Sequence, residues 1–175
     1  MILFHGTTQK RGEEILASGV LKRNTERDFK SIASIEGTTD GYVYFTTDLS
    51  IALYYGNAKT IGNDYDMQVY IFRLDVPYEL LSADLDELKS KTGKEFPVGT
   101  TVEKSLEICK CVRVPQDVSI SNACYTTIPS TKNYEISNEL FELRFKLFAL
   151  NRRRNADNDE ECKRIQELLN WTKIN

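Results

Sequence analysis

Residues 68–77, QVYIFRLDVP, constrain this chain more than any other stretch. β-Branched and aromatic residues are densely placed there, and Pro77 ends the run because it has no N–H to give to a ladder, so the stretch reads as a strand. A lone strand is not stable in water. Three further runs read the same way: ILFHG near the N-terminus, YVYFTT at 42–47 and SLEICKCVRVP at 105–115, the last alternating apolar and polar residues up to Pro115. A shorter strand is expected around 123–128.

Helices alternate with these runs. Thr7 or Thr8 is a plausible N-cap for QKRGEEILAS, and Gly19 is a C-cap signal. Asp48 or Ser50 caps a second helix, LSIALYYGNAK. ELLSADLDELKSKTG reads as helical in part, punctuated by Gly93 and Pro97. From Ile136 the character changes. Ser137 or Asn138 opens a helix in which Glu142 is spaced to pair with Lys146. Asp157 or Asn158 opens another, with Cys162, Ile165, Leu168 and Leu169 on one stripe. Residues 22–41 are polar without a period and read as a long loop. The expectation is an α+β body over residues 1–135, with 136–175 as a C-terminal helical hairpin packed on the same domain. A chain of 175 residues is long enough to bury a core of that kind.

A net charge of −3 gives no global basic field, which argues against binding nucleic acid through bulk phosphate contacts. No apolar run approaches the roughly 20 residues that span a bilayer, and MILFHGTTQKRG lacks the features of a signal peptide. The expectation is a soluble, cytoplasmic protein without membrane contact. Cys109, Cys111, Cys124 and Cys162 lack the spacing of zinc ligands, so no metal is expected and the thiols read as reduced.

Two segments are able to carry chemistry. His5, the only histidine, ends the first strand beside Gly6 and Thr7. The segment GYVYFTTDLSIALYYG, residues 41–56, holds four tyrosines. Tyr42 and Tyr44 share a strand face, and on the helix that follows only one of Tyr54 and Tyr55 can point back toward it. Two tyrosines flanking a slot suit a flat aromatic ligand, and the same pattern also fits amphipathic core tyrosines.

Together these segments resemble the ADP-ribosyltransferase superfamily, in the branch built like diphtheria toxin and the poly(ADP-ribose) polymerases. That branch carries a histidine, a tyrosine and a glutamate on three different strands. His5-Gly6-Thr7 matches the first element, and Tyr44 with Tyr55 matches the second. The third is a glutamate near the start of a late strand. SLEICKCVRVP points to Glu107, with Glu103 and Glu135 also available. Ala52 stands where the second helix often has a serine that holds the carboxamide, and nothing after residue 135 has a counterpart. The resemblance implies a split antiparallel β-sheet core with peripheral helices, and NAD as substrate.

It also implies roles. Nicotinamide would stack between Tyr44 and Tyr55. Gly6, without a side chain, would let the backbone read the carboxamide. His5, with Thr7 beside it, would orient the dinucleotide through a ribose hydroxyl. Glu107 would hold the nicotinamide ribose and stabilise positive charge as the glycosidic bond breaks. Lys22, Arg23 and above all Arg27 are the nearest cations for the pyrophosphate. The implied activity is that of a mono-ADP-ribosyltransferase, a glycosyltransferase acting on a macromolecular acceptor, with protein favoured over nucleic acid. Its rivals are a non-catalytic ADP-ribose or nucleotide-binding module and an NAD glycohydrolase. RNA 2′-phosphotransfer is disfavoured by the single histidine.

Overall fold

The computed structural model describes residues 1–24, 38–60, 66–153 and 157–174. Its elements run β1 (Ile2–Thr8), α1 (Gln9–Ser18), β2 (Val20–Leu21), β3 (Val43–Thr46), α2 (Leu49–Thr60), β4 (Gln68–Asp75), β5 (Ser82–Ala83) and α3 (Leu85–Thr92). The second half continues with α4 (Val102–Cys109), β6 (Cys111–Val114), β7 (Val118–Ser119), β8 (Cys124–Pro129), α5 (Asn138–Arg153), α6 (Asp157–Leu168) and β9 (Thr172–Lys173). Seven strands form one sheet in the order β5-β6-β3-β1-β4-β8-β9, and β2 pairs with β7 in a separate ribbon. Every described pairing is antiparallel. The α+β class expected from the sequence is therefore observed.

The local signals explain most boundaries. Thr8 caps α1 by accepting from the Arg11 N–H, and Gly19 ends it at φ 72°, a left-handed conformation that costs glycine nothing. Asp48 caps α2 through Oδ1, which accepts from the Ser50 N–H at 2.9 Å. Asp84 caps α3 through the Glu87 N–H at 3.0 Å.

Three expectations need correcting. SLEICKCVRVP is not one strand: its first half is the end of α4, and only Cys111–Val114 is extended. The alternation misled because Val102, Ser105, Leu106 and Cys109 also recur at helical spacing, behind a Thr101 cap that accepts from the Lys104 N–H. Lys110, at φ 57°, makes the corner between helix and strand. Residues 79–93 are helical in part, as expected: Leu85–Thr92 forms an α-helix that ends at Gly93, preceded by a 3-10 turn and by β5. Lys146 pairs with Glu161 on α6 rather than with Glu142, because α5 and α6 pack side by side. On α6, Cys162 and Ile165 are buried but Leu168 is 74% exposed.

The sheet has apolar cover on both faces. On one side Leu3, Phe45, Phe72 and Val112 pack against Ile15 of α1 and Leu21 of β2. On the other, Phe4, Val69 and Ile71 pack against Leu53 of α2, Leu147 of α5 and Ile165 of α6. The C-terminal helices thus complete a core shared with β1 and β4. A third cluster, with Ile51, Leu88, Cys109 and Cys111, joins α2, α3 and α4 at the β6 end.

Two glycines set how close α2 comes to β1. A Cβ on Gly6 would lie 1.8 Å from the Ala52 carbonyl oxygen, and one on Gly56 would lie 2.9 Å from the Thr7 amide nitrogen. Neither position has room for a side chain.

Candidate functional site

β1 and β3 part company within the sheet. β1 pairs with β4 along its whole length, from Ile2↔Asp75 to Thr8↔Val69, but with β3 only at Phe4↔Thr46. Beyond Phe4 the β3-side edge of β1 faces a cleft of about 370 Å³. The cleft is closed on one side by α1 and β2, and on the other by α2 and α3.

His5 stands at the fork. Its Nδ1 lies 2.9 Å from the Tyr44 carbonyl oxygen, so the side chain bridges the gap between β1 and β3. A carbonyl only accepts, so Nδ1 carries the proton and donates. Burial, only partly offset by the Tyr44 carbonyl and reinforced by the positive charge of Lys59, lowers the His5 pKa to about 4. At neutral pH the ring is uncharged, with Nε2 as a bare acceptor. The imidazole lines the cleft and is suited to receive a hydroxyl proton from a ligand.

The two tyrosines are held by consecutive residues of α3. Tyr44 donates its hydroxyl proton to Asp86 Oδ2 at 2.5 Å, and Tyr55 donates to Glu87 Oε2. Asp86 also accepts from the Thr39 N–H and hydroxyl, at 2.8 and 2.7 Å, and faces the Arg113 guanidinium at 3.4 Å. Burial alone would raise the Asp86 pKa, but the bonds from Tyr44 and Thr39, together with Arg113, outweigh it and hold the carboxyl below its ordinary value. Tyr55 is pushed the other way, by burial and then by the charge of Glu87. Its hydroxyl stays protonated and anchors the ring. Tyr54 turns outward at 41% exposure, so Tyr55 is the member of the pair that faces the cleft.

The residues expected at the site divide into two groups. His5, Gly6, Thr7, Tyr44 and Tyr55 all line this one cleft, as does Lys22. Gly6 differs in its reason: the missing side chain makes room for Ala52 of α2. Arg23 is engaged elsewhere, with Asp117 and the Pro115 carbonyl, and Arg27 lies outside the described residues. The glutamates fall outside the cleft. Glu107 stands on α4 rather than on a strand, its side chain 68% exposed and paired with Lys104 at 2.9 Å. Glu103, on the same helix, accepts from the Tyr78 hydroxyl, and Glu135 is exposed in a loop. The late strand brings Cys111 to the cleft instead.

The carboxylates that do line this end of the cleft are Asp84, Asp86 and Glu87, which sequence reasoning missed as site residues. Their only signal was ADLDE, which reads as a helix cap followed by an acidic first turn. Asp84 is buried; that burial, against the opposing Glu87 N–H and with the nearby charges of Asp86 and Glu87, raises its pKa to about 7. At the far end Lys22 and Arg11 line the wall, Arg11 in an ion pair with Glu14 at 2.8 Å, which lines it too. The cleft is therefore acidic near α3, and near α1 it carries the Arg11–Glu14 pair beside Lys22. Among the described residues no group of three potential ligand side chains is placed to hold a metal ion, and no helix is long and apolar enough to cross a membrane. No family model matches the chain, and no curated protein matches it.

Proposed function

We propose that this cleft binds NAD and that the protein is a mono-ADP-ribosyltransferase. The observation that supports this best is convergence: His5, Gly6, Thr7, Tyr44 and Tyr55, from two separate stretches of sequence, meet in one cleft at a fork in the sheet. The chemistry of the walls agrees with a dinucleotide. The open edge of β1 offers backbone N–H and C=O groups suited to a carboxamide. The bare Nε2 of His5 accepts from a ribose hydroxyl. Tyr44 and Tyr55, fixed by α3, present rings to a flat cationic base. Lys22 and Arg11, the latter shared with Glu14, stand at the end where a pyrophosphate needs positive partners.

In the proposed reaction the bond between ribose C1′ and the pyridinium nitrogen breaks, and its electron pair goes to nitrogen, which leaves as neutral nicotinamide. The acceptor heteroatom forms a bond to C1′ and loses its proton to solvent or to a carboxylate. The acceptor is a macromolecule, with protein favoured by the acidic net charge of −3.

The test is incubation of the purified protein with NAD, with and without cell lysate, followed by measurement of free nicotinamide and mass spectrometry of the proteins. Transfer gives nicotinamide release that depends on lysate, and an adduct of ADP-ribose mass. Release without any acceptor makes the protein an NAD glycohydrolase. A second reading, an ADP-ribose or nucleotide-binding module without turnover, is favoured by one observation: β6 brings Cys111 rather than a glutamate to the cleft. Saturable NAD binding with no nicotinamide release supports it.

A further inference from the structure

The acidic wall of the cleft is not uniform. Asp84 is committed to capping α3, and Asp86 is committed to Tyr44, Thr39 and Arg113. Glu87 differs from both. It is only 9% exposed and lines the cleft, and its Oε2 accepts from the Tyr55 hydroxyl. Among the described residues its other oxygen, Oε1, receives no hydrogen bond and no positive side chain pairs with it. That oxygen is not sealed inside the protein, so a ligand in the cleft is able to reach it. The nearest ring, Tyr55, is one that the proposed ligand would stack on.

We propose that Glu87 is the charge-selecting group of the cleft: its free oxygen faces the cationic N-riboside end of the ligand, and Tyr55 positions it there. This rests on the NAD reading above and deepens it. A positively charged pyridinium beside that carboxylate is stabilised in a site of reduced dielectric, whereas the neutral dihydropyridine of NADH gains nothing from it. The other recognition elements are shared, apart from the contact of the cationic ring with Tyr44 and Tyr55, which Glu87→Gln leaves in place. The same carboxylate faces the ribose as positive charge moves onto it during bond cleavage, so Glu87, on a helix, would take the role that the resemblance gives to a strand glutamate.

The experiment compares binding of NAD and NADH to the wild-type protein and to Glu87→Gln by calorimetry, with nicotinamide release followed in parallel. The expected result is that the wild type prefers NAD by roughly tenfold or more. Glu87→Gln loses that preference through weaker NAD binding, changes NADH affinity less than about twofold, and loses about 100-fold or more in nicotinamide release. Tyr55→Phe keeps the ring and removes only the hydroxyl that holds Glu87, so it reduces the preference several-fold without depending on the folding of the first variant. A wild-type protein that binds the two dinucleotides equally, or a Glu87→Gln variant that keeps the preference, overturns the assignment of Glu87 while leaving NAD binding intact. A wild type that binds neither dinucleotide overturns the NAD reading and this proposal with it.

Discussion

His5 and Asp84 carry opposite pH dependences, and their opposition is itself a test of the site. The folded protein keeps His5 neutral down to a pKa of about 4, against an ordinary 6.5, so the unfolded chain binds the extra proton between those values. The stability tied to His5 is fully present above about pH 6.5 and is lost as pH falls through about 4. Asp84 runs the other way: its folded pKa of about 7 lies above the ordinary 3.8, so the folded protein holds the extra proton. Its contribution is fully present below about pH 3.8 and is lost as pH rises through about 7. Between pH 4 and 6.5 the two largely cancel. Asp84→Asn keeps a capping side chain but removes one of the pair, so its urea midpoint falls as pH is lowered across that window. His5→Gln leaves the Asp84 dependence alone, and its midpoint falls as pH is raised. An Asp84→Asn profile as flat as the wild type contradicts the assignment. Glu107 offers a second test at this scale. It stands on the exposed face of α4, and Glu107→Gln is expected to change nicotinamide release less than about twofold, as for surface substitutions generally.

The contact of α2 with β1 is the element-scale feature on which the cleft depends. Gly6→Ala forces a methyl group into the Ala52 carbonyl, and backbone atoms cannot turn aside as a flexible side chain does. A loss of about 2–4 kcal/mol is expected, read as a lower melting temperature and a lower denaturant midpoint. The strands β1, β3 and β4 and the ends of α1 were legible from the sequence because their signals are local: dense β-formers, a threonine cap and a glycine stop. The α4–β6 corner was not legible, because Ser105 to Cys111 fits both the period of a strand and that of a helix. Thr101 behind it and the left-handed Lys110 decide between them. The convergence of His5 with Tyr44 and Tyr55 was readable as two motifs. That Asp86 and Glu87 would grip those tyrosines was not, since it follows from how β5 and α3 fold back over the sheet.

At the scale of the molecule, the C-terminal helices belong to the body that carries the site. Leu147 is fully buried beside Phe4, Leu53 and Ile71, under the strand that carries His5 and the helix that carries Tyr55. Leu147→Ala is expected to cost about 2–5 kcal/mol. Thermal unfolding should remain a single transition, because that core is shared. Two separate transitions would show that residues 136–175 fold apart from the rest. The central claim is that NAD occupies the cleft against a neutral His5, and the single histidine makes this directly measurable. In the ¹H–¹⁵N imidazole spectrum of uniformly labelled protein, one ring gives all the signals. A spectrum with Nδ1 protonated and Nε2 bare at neutral pH, in which the Nε2 resonance shifts saturably as NAD is added, is the result expected. A charged or Nε2-protonated ring, or an Nε2 resonance that does not move at millimolar NAD, contradicts it.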